Sequence, residues 1–296
     1  NKGVRRFRWI KWMTSPLAPP LWQLLDATAH ILLAVRGGQS TATALELVPQ
    51  TLRPGAQALA FQVLRNLGRA NSLRQQLARR APPPAVDALL CTALALAWSD
   101  ADAPYDVFTL VNQAVEAAKR HTATRGSSGF VNACLRRFLR ERGALVAATD
   151  ADPQAFWNHP LWWVKRLQKD YPADWQAILA ANNRQAPMVL RVNLARTTRE
   201  DFASRLGQAG IAAVPVGSSG LVLGKALAVS QIPGFADGLA SVQDAAAQLA
   251  APLLLGPPDA GNAMTRPLRV LDACAAPGGK TAHLLEIGHC DVTAIE

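Results

Sequence analysis

The chain is poor in cysteine, with four in 296 residues and no Cys-x-x-Cys pair. That usage excludes a disulfide framework and points to reduced thiols. It also has no long apolar run: the longest strongly apolar stretch, Ala88 to Ser99, falls far short of the ~20 residues that span a bilayer. No secretory leader with a small-residue cleavage site is evident, so a cytoplasmic location is expected, with no membrane partner. Acidic residues are scarce in one half only. Residues 1–150 carry 19 Lys and Arg against 9 Asp and Glu, a balance of +10, whereas residues 151–296 carry 12 of each. A basic half beside a neutral one suits a polyanion-binding module joined to something different; the competing reading is a surface that only solubilises. Half of the residues are apolar, so a real core is expected, and the length allows two or three domains.

The stretch that organises the chain is Arg269-Val-Leu-Asp-Ala-Cys-Ala-Ala-Pro-Gly-Gly-Lys-Thr281. Val270 and Leu271 read as a buried parallel strand. Pro277, Gly278 and Gly279 force a tight turn, and Ala282, Leu284 and Leu285 begin a helical pattern. Strand, glycine-rich turn and helix together bring a cofactor close to bare backbone at a helix N-terminus. A second strand, Asp291 to Ile295, ends in Glu296, an acid placed where ribose hydroxyls are commonly held. A phosphate loop is excluded because its first glycine position is Cys274, and with it a nucleotide hydrolase using Gly-Lys-Thr. The dinucleotide pattern Gly-x-Gly-x-x-Gly is absent too.

Cys274-Ala-Ala-Pro-Gly-Gly-Lys-Thr281 resembles the S-adenosylmethionine loop of the RNA cytosine-C5 methyltransferases. The resemblance implies S-adenosyl-L-methionine as cofactor. Backbone amides from Ala275 through Ala276, Pro277 and Gly278 to Gly279 would approach its methionine end. Lys280 would face the carboxylate, and Glu296 would accept from the ribose where the family usually has Asp.

From the N-terminus, Lys2, Arg5, Arg6, Arg8 and Lys11 interleave with Phe7, Trp9 and Trp12. Such a leader suits nucleic acid or is a translated upstream stretch, Met13 being available as a start. Helices are expected over Leu21–Val35, stopped by Gly37-Gly38, over Pro54–Leu67 and from Asn71 as a cap to before Pro82. Ala85–Trp98, apolar nearly all round, is expected to be the central buried helix. Val107–Lys119 follows, then Phe130–Arg142, capped by Ser127 or Ser128. On that last helix Phe130, Val131, Cys134, Leu135, Phe138 and Leu139 can face the core, with Arg136, Arg137, Arg140 and Arg142 largely outward. Gly129-Phe-Val-Asn-Ala-Cys-Leu-Arg-Arg137 looks like the closing helix of the NusB-type RNA-binding domain. Lys119, Arg120, Arg125, Arg136, Arg137 and Arg140 are the candidate RNA contacts, against the plainer reading of a solvated helix face. Trp157, Trp162, Trp163 and Trp175 sit at helical spacing beside Leu161, Val164 and Leu167 and read mostly as core.

From Pro187 the pattern changes. Met188–Val192, Ile211–Val216 and Gly220–Leu223 read as short strands around a helix capped by Thr198, a small α+β subdomain. Pro233–Gln248 resembles the segment that precedes the catalytic domain in the same family. The expected organisation is therefore a basic leader (1–20), an all-α NusB-like bundle (21–145), linker helices with a small α+β subdomain (146–262), and the beginning of a Rossmann-like α/β methyltransferase domain (263–296). That order is similar to the bacterial 16S ribosomal RNA cytosine-C5 methyltransferases, which implies 16S ribosomal RNA as partner.

Cytosine C5 is a poor nucleophile. The family remedy is a cysteine thiolate that adds to C6 so that C5 can take the methyl group, after which a base removes the C5 proton. The target base must also be unstacked. The cysteines responsible lie in Pro-Cys and Thr-Cys motifs downstream of the loop, and neither motif occurs in this sequence. Cys274 matches the loop cysteine and not the nucleophile, so no catalytic residue is assigned. The chain is expected to be a front portion of such an enzyme without methyl transfer of its own. The alternative is a non-catalytic NusB-type RNA-binding protein. Cys274, His283, His289 and Cys290 fit no usual zinc spacing, and no metal is expected.

Overall fold

The computed structural model describes residues 19–99, 103–256 and 267–296. Residues 1–18 of the basic leader lie outside the described residues. The chain divides into two compact units, residues 1–184 and 185–296.

The first unit is helical. Helix α1 (Leu21–Arg36) ends where the Gly37 amide donates to the Leu33 carbonyl and Gly38 turns to φ 92°. Helix α2 (Thr41–Glu46) is a short turn that the sequence pattern did not suggest. Ser40 caps it by accepting from the Thr43 amide at 3.0 Å. Helix α3 (Arg53–Arg65) carries Pro54 in its first turn, where proline costs no hydrogen bond. Helix α4 (Leu67–Leu77) starts four residues before the expected cap. Asn71 is not a cap: it lies inside α4, where its side-chain oxygen accepts from Arg36 at 2.6 Å.

Helix α5 (Pro84–Ala97) has eleven buried residues out of fourteen, which puts it at the centre. Helices α1, α3, α4, α6 (Val107–Arg120) and α7 (Ser128–Thr149) surround it. Asp106 caps α6 by accepting from the Thr109 amide at 2.9 Å. Val131, Cys134, Leu135 and Phe138 of α7 enter the core as expected, and Leu139 packs against it. Phe130 does not; it is exposed. No side-chain cap bond forms at Ser127, and Ser128 donates instead to the Arg125 carbonyl at 3.0 Å.

Helix α7 runs seven residues past Arg142, because its tail has its own partner. The buried Arg69 of α4 reaches Thr149 Oγ1 at 2.5 Å and Asp150 at 2.7 Å, with its guanidinium 4.4 Å from the centre of the Trp98 ring. Helices α8 (Pro153–Trp157), α9 (Leu161–Asp170) and α10 (Trp175–Asn182) also belong to this unit, whereas the sequence pattern groups them with the subdomain that follows. Asn158 explains their attachment. It adopts the left-handed conformation at φ 55°. Its side chain accepts from the Gly68 amide at 2.7 Å and donates to the Leu64 carbonyl at 3.1 Å and to Asn183 at 3.3 Å. Trp157, Trp163 and Trp175 pack around Val164, Leu167 and Leu179, while Trp162 is left 68% exposed.

The second unit opens with β1 (Val189–Val192), followed by helix α11 (Arg199–Gln208), β2 (Ala213–Val216), β3 (Gly220–Leu223) and β4 (Ala240–Val242). The four strands form one antiparallel sheet in the order β2-β3-β1-β4, with Leu190 opposite Leu221 on one side and Val242 on the other. Every residue of β1 is buried, as a central strand requires. Thr198 caps α11 by accepting from the Asp201 amide at 3.0 Å, and Phe202 and Leu206 fill the core beneath. Strand β4 falls in the Pro233–Gln248 stretch, where no alternating pattern announced it.

After helix α12 (Ala250–Leu255), β5 (Leu268–Asp272) pairs in parallel with β6 (Cys290–Ala294), and α13 (Gly279–Ile287) connects them. The strand–turn–helix–strand order matches the expectation, but the expected burial does not. Leu271 is 61% exposed and Val270 half-buried, because among the described residues β5 has one partner strand, β6, and one face is left uncovered. No helix among the described residues is long and apolar enough to cross a membrane.

Candidate cofactor turn and candidate nucleic-acid groove

The turn is built by the ends of two parallel strands. Ile295 donates to the Asp272 carbonyl at 2.9 Å, and the Ala275 amide donates to the Ile295 carbonyl at 3.1 Å, so the turn is laced to the end of β6. The Ala276 amide donates to Glu296 Oε2 at 2.8 Å, which puts the candidate ribose acid against the candidate loop. The Gly278 amide closes on the Ala275 carbonyl at 2.5 Å. Three of the amides expected to meet a ligand are thus engaged within the protein, and Pro277 has none to offer. Gly278 sits at φ 91°, and a Cβ there would meet nothing within 4 Å; conformation and not crowding asks for glycine. Cys274 and Lys280 are exposed.

Several residues of this site were not singled out in the sequence. Asp272, at the tip of β5, accepts from the Thr281 hydroxyl at 2.6 Å and from the Cys274 amide at 3.4 Å. The only signal was an acid closing the first strand as Glu296 closes the second. Arg191 of β1 is 1% exposed. Its guanidinium donates to Glu286 of α13 at 2.7 and 3.2 Å, to Gln243 at 2.6 Å and to the Gly279 carbonyl at 2.6 Å. An arginine on a strand thereby fastens the first turn of α13 to the antiparallel sheet, and the buried charge is compensated by one carboxylate and two neutral acceptors. His283, also buried, has an unpartnered Nδ1. Burial and then the Arg191 charge push its pKa down to about 4, so it is neutral at pH 7. Cys274, His283, His289 and Cys290 do not gather at ligand distance among the described residues.

The basic residues divide. A groove of about 770 Å³ between α6 and α7 is lined by Lys119, Arg120 and Arg136 together with Trp22, Gln113 and Asn132. The Arg120 guanidinium stands 4.7 Å from the centre of the Trp22 ring and pairs with Glu116 at 2.5 Å. Arg136 donates to Asn132 Oδ1 at 3.1 Å, one turn back. Arg125 and Arg140 are exposed but do not line the groove. Arg137 and Arg142 face outward only in part. Arg137 pairs with Glu141 at 3.0 Å and donates to the Gln76 carbonyl at 3.3 Å, and Arg142 donates to the Trp98 carbonyl at 3.3 Å. They tie α7 to its neighbours.

The helical unit and the antiparallel sheet define the class. Residues 27–140 match the NusB family, and residues 159–230 match the ferredoxin-like domain of the RsmF/B-like methyltransferases. A relative named ribosomal RNA small subunit methyltransferase B from Vibrio cholerae is 38% identical over 88% of this chain and 59% of its own length. One of the same name from Pseudomonas putida is 38% identical over 91% of this chain and 62% of its own. The chain is similar to both relatives over most of its own length and spans about six-tenths of theirs. The crystal structure of PH0851 superposes with a TM-score of 0.64 over 95% of this chain and 65% of that one at 16% identity, a likeness of fold.

Proposed function

We propose that this chain supplies the RNA-binding and cofactor-binding parts of an S-adenosylmethionine-dependent 16S ribosomal RNA (cytosine-C5) methyltransferase, with residues 263–296 as the beginning of its methyltransferase domain. One observation carries the reading: the turn from Cys274 to Lys280 lies between two parallel strand ends, flanked by Asp272 and Glu296, with α13 starting at Gly279. S-Adenosylmethionine, when bound, supplies the methyl group. The N-terminus of α13 and the exposed Lys280 favour a carboxylate. The glutamate at the tip of β6 suits ribose hydroxyls. Because Glu296 occupies the Ala276 amide, a ligand carboxylate would compete with it there. Cys274 lies in the turn and is assigned to the cofactor side, not to attack on cytosine.

Lys119, Arg120 and Arg136 meet RNA phosphates in this reading, and Trp22 stiffens Arg120 by stacking. An RNA-modifying role sets the protein in the cytoplasm. With neither a Pro-Cys nor a Thr-Cys motif present, the 296-residue chain is expected to transfer no methyl group to unmodified 16S ribosomal RNA. Stoichiometric labelled product would overturn that assignment. Binding of the same RNA should weaken with salt. Replacing Lys119, Arg120 and Arg136 together by alanine should reduce the slope of log K against log salt by about 2 to 3, whereas Arg137→Ala should leave it unchanged. RNA binding without affinity for S-adenosylmethionine would favour the second reading, a non-catalytic NusB-type RNA-binding protein.

A further inference from the structure

The helical unit holds a cluster that neither the groove nor the turn uses. Asp26 and His30 stand one turn apart on α1, and His121 lies just past the end of α6. One ligand atom from each can be chosen so that all lie within 4.8 Å of one another. Two imidazoles and a carboxylate are a donor set for a borderline cation such as zinc. We propose that Asp26, His30 and His121 form a divalent transition-metal site of zinc type that ties α1 to the end of α6.

Two observations beyond proximity support the assignment. The His30 Nδ1 lies 2.9 Å from the Asp26 carbonyl oxygen. A carbonyl only accepts, so the proton sits on Nδ1 and the lone pair is left on Nε2. This is the arrangement that orients metal-binding histidines. Asp26, His30 and His121 also line a small cavity of about 10 Å³, together with Leu33, Leu89 and Thr124, about the space one probe sphere needs. The rings now meet edge to face, with centroids 4.6 Å apart and planes at 64°. Converging on an ion takes a ring rotation by side chains at the surface. Binding through His121 Nε2 puts the proton on Nδ1 and gives up the 3.2 Å contact from the Ala123 amide. Three protein ligands leave the fourth tetrahedral position to water.

The experiment is calorimetric titration of the full chain with zinc chloride in a chelator-free buffer. One ion per chain should bind, with affinity reduced at least ~10-fold in His30→Gln and in His121→Gln. The same affinity should survive in Cys274→Ser/Cys290→Ser, which removes the two cysteines outside the helical core. Zinc should also protect His30 and His121 of the unaltered chain from carbethoxylation, a readout that needs no variant to fold. Absence of binding at micromolar zinc overturns the proposal. So does binding lost in the cysteine variant and kept in both histidine variants, or zinc that leaves both histidines equally reactive.

Discussion

Replacing Arg191 by methionine keeps most of the stem and removes the guanidinium that holds α13. In the folded protein that group is 1% exposed and donates to Glu286, Gln243 and the Gly279 carbonyl over 2.6 to 3.2 Å. Glu286, with a side chain only 15% exposed, would be left as a nearly buried charge without its partner. Breaking a buried pair from one side costs about 3–5 kcal/mol. The loss is local to the segment that carries the turn, so native-state hydrogen exchange of the α13 amides is the assay. Exchange at Leu284 and Leu285 should accelerate by about 100-fold or more, at ~1.4 kcal/mol per factor of ten. Arg191→Met combined with Glu286→Leu should recover most of the protection, because an apolar pair replaces the ionic one. It should not recover all of it, because Gln243 Oε1 and the Gly279 carbonyl each lose the guanidinium as a donor, at about 1 kcal/mol. An acceleration below about fivefold, equivalent to ~1 kcal/mol, would refute the claim that Arg191 holds the helix.

Three further outcomes follow from single residues. His283 is neutral when folded, with its pKa pushed down to about 4, and regains an ordinary pKa when unfolded. The unfolded state therefore binds more protons between about pH 6.5 and 4, and stability is lost as pH falls through that window, by up to about 3 kcal/mol. His283→Gln should flatten this part of a stability–pH curve, and an unchanged slope would contradict the burial argument. At Gly68 a Cβ would lie 2.6 Å from the Gln154 carbonyl oxygen, so Gly68→Ala should destabilise the helical unit by about 1–3 kcal/mol in urea denaturation. The exposed Cys274 should react first with a thiol reagent in the folded chain. Burial raises the thiol pKa of Cys91 and of Cys134 and keeps both slow, and Cys274→Ser should remove the fast phase.

Local chemistry was legible in the sequence and distant partnership was not. Helix α5 announced itself because a helix apolar on every side has only one place to go, and Thr198 was readable as a cap because a cap acts within three residues. Helix α2, by contrast, is six residues long, too short for a period to emerge. Asn71 looked like a cap by its type, yet its partner, Arg36, is 35 residues away. The same distance hid Arg191, whose acceptors lie 52 to 95 residues on, and the bond from Arg137 to the Gln76 carbonyl. The turn was readable because strand, glycines and helix are contiguous. That Glu296 meets the Ala276 amide needed the pairing of β5 with β6 in three dimensions. The tryptophans of α8–α10 followed their helical spacing into a small core, with Trp162 left outside it.

The central claim is that the turn from Cys274 to Lys280 binds S-adenosylmethionine. The direct measurement is ultraviolet crosslinking of methyl-labelled S-adenosylmethionine to the full chain, with the labelled peptide identified by mass spectrometry. The account predicts label within residues 272–281, removed by excess S-adenosylhomocysteine and reduced in Asp272→Asn, which loosens Thr281 from the tip of β5. Label confined to the helical unit, or label in the turn that the competitor does not displace, would contradict it.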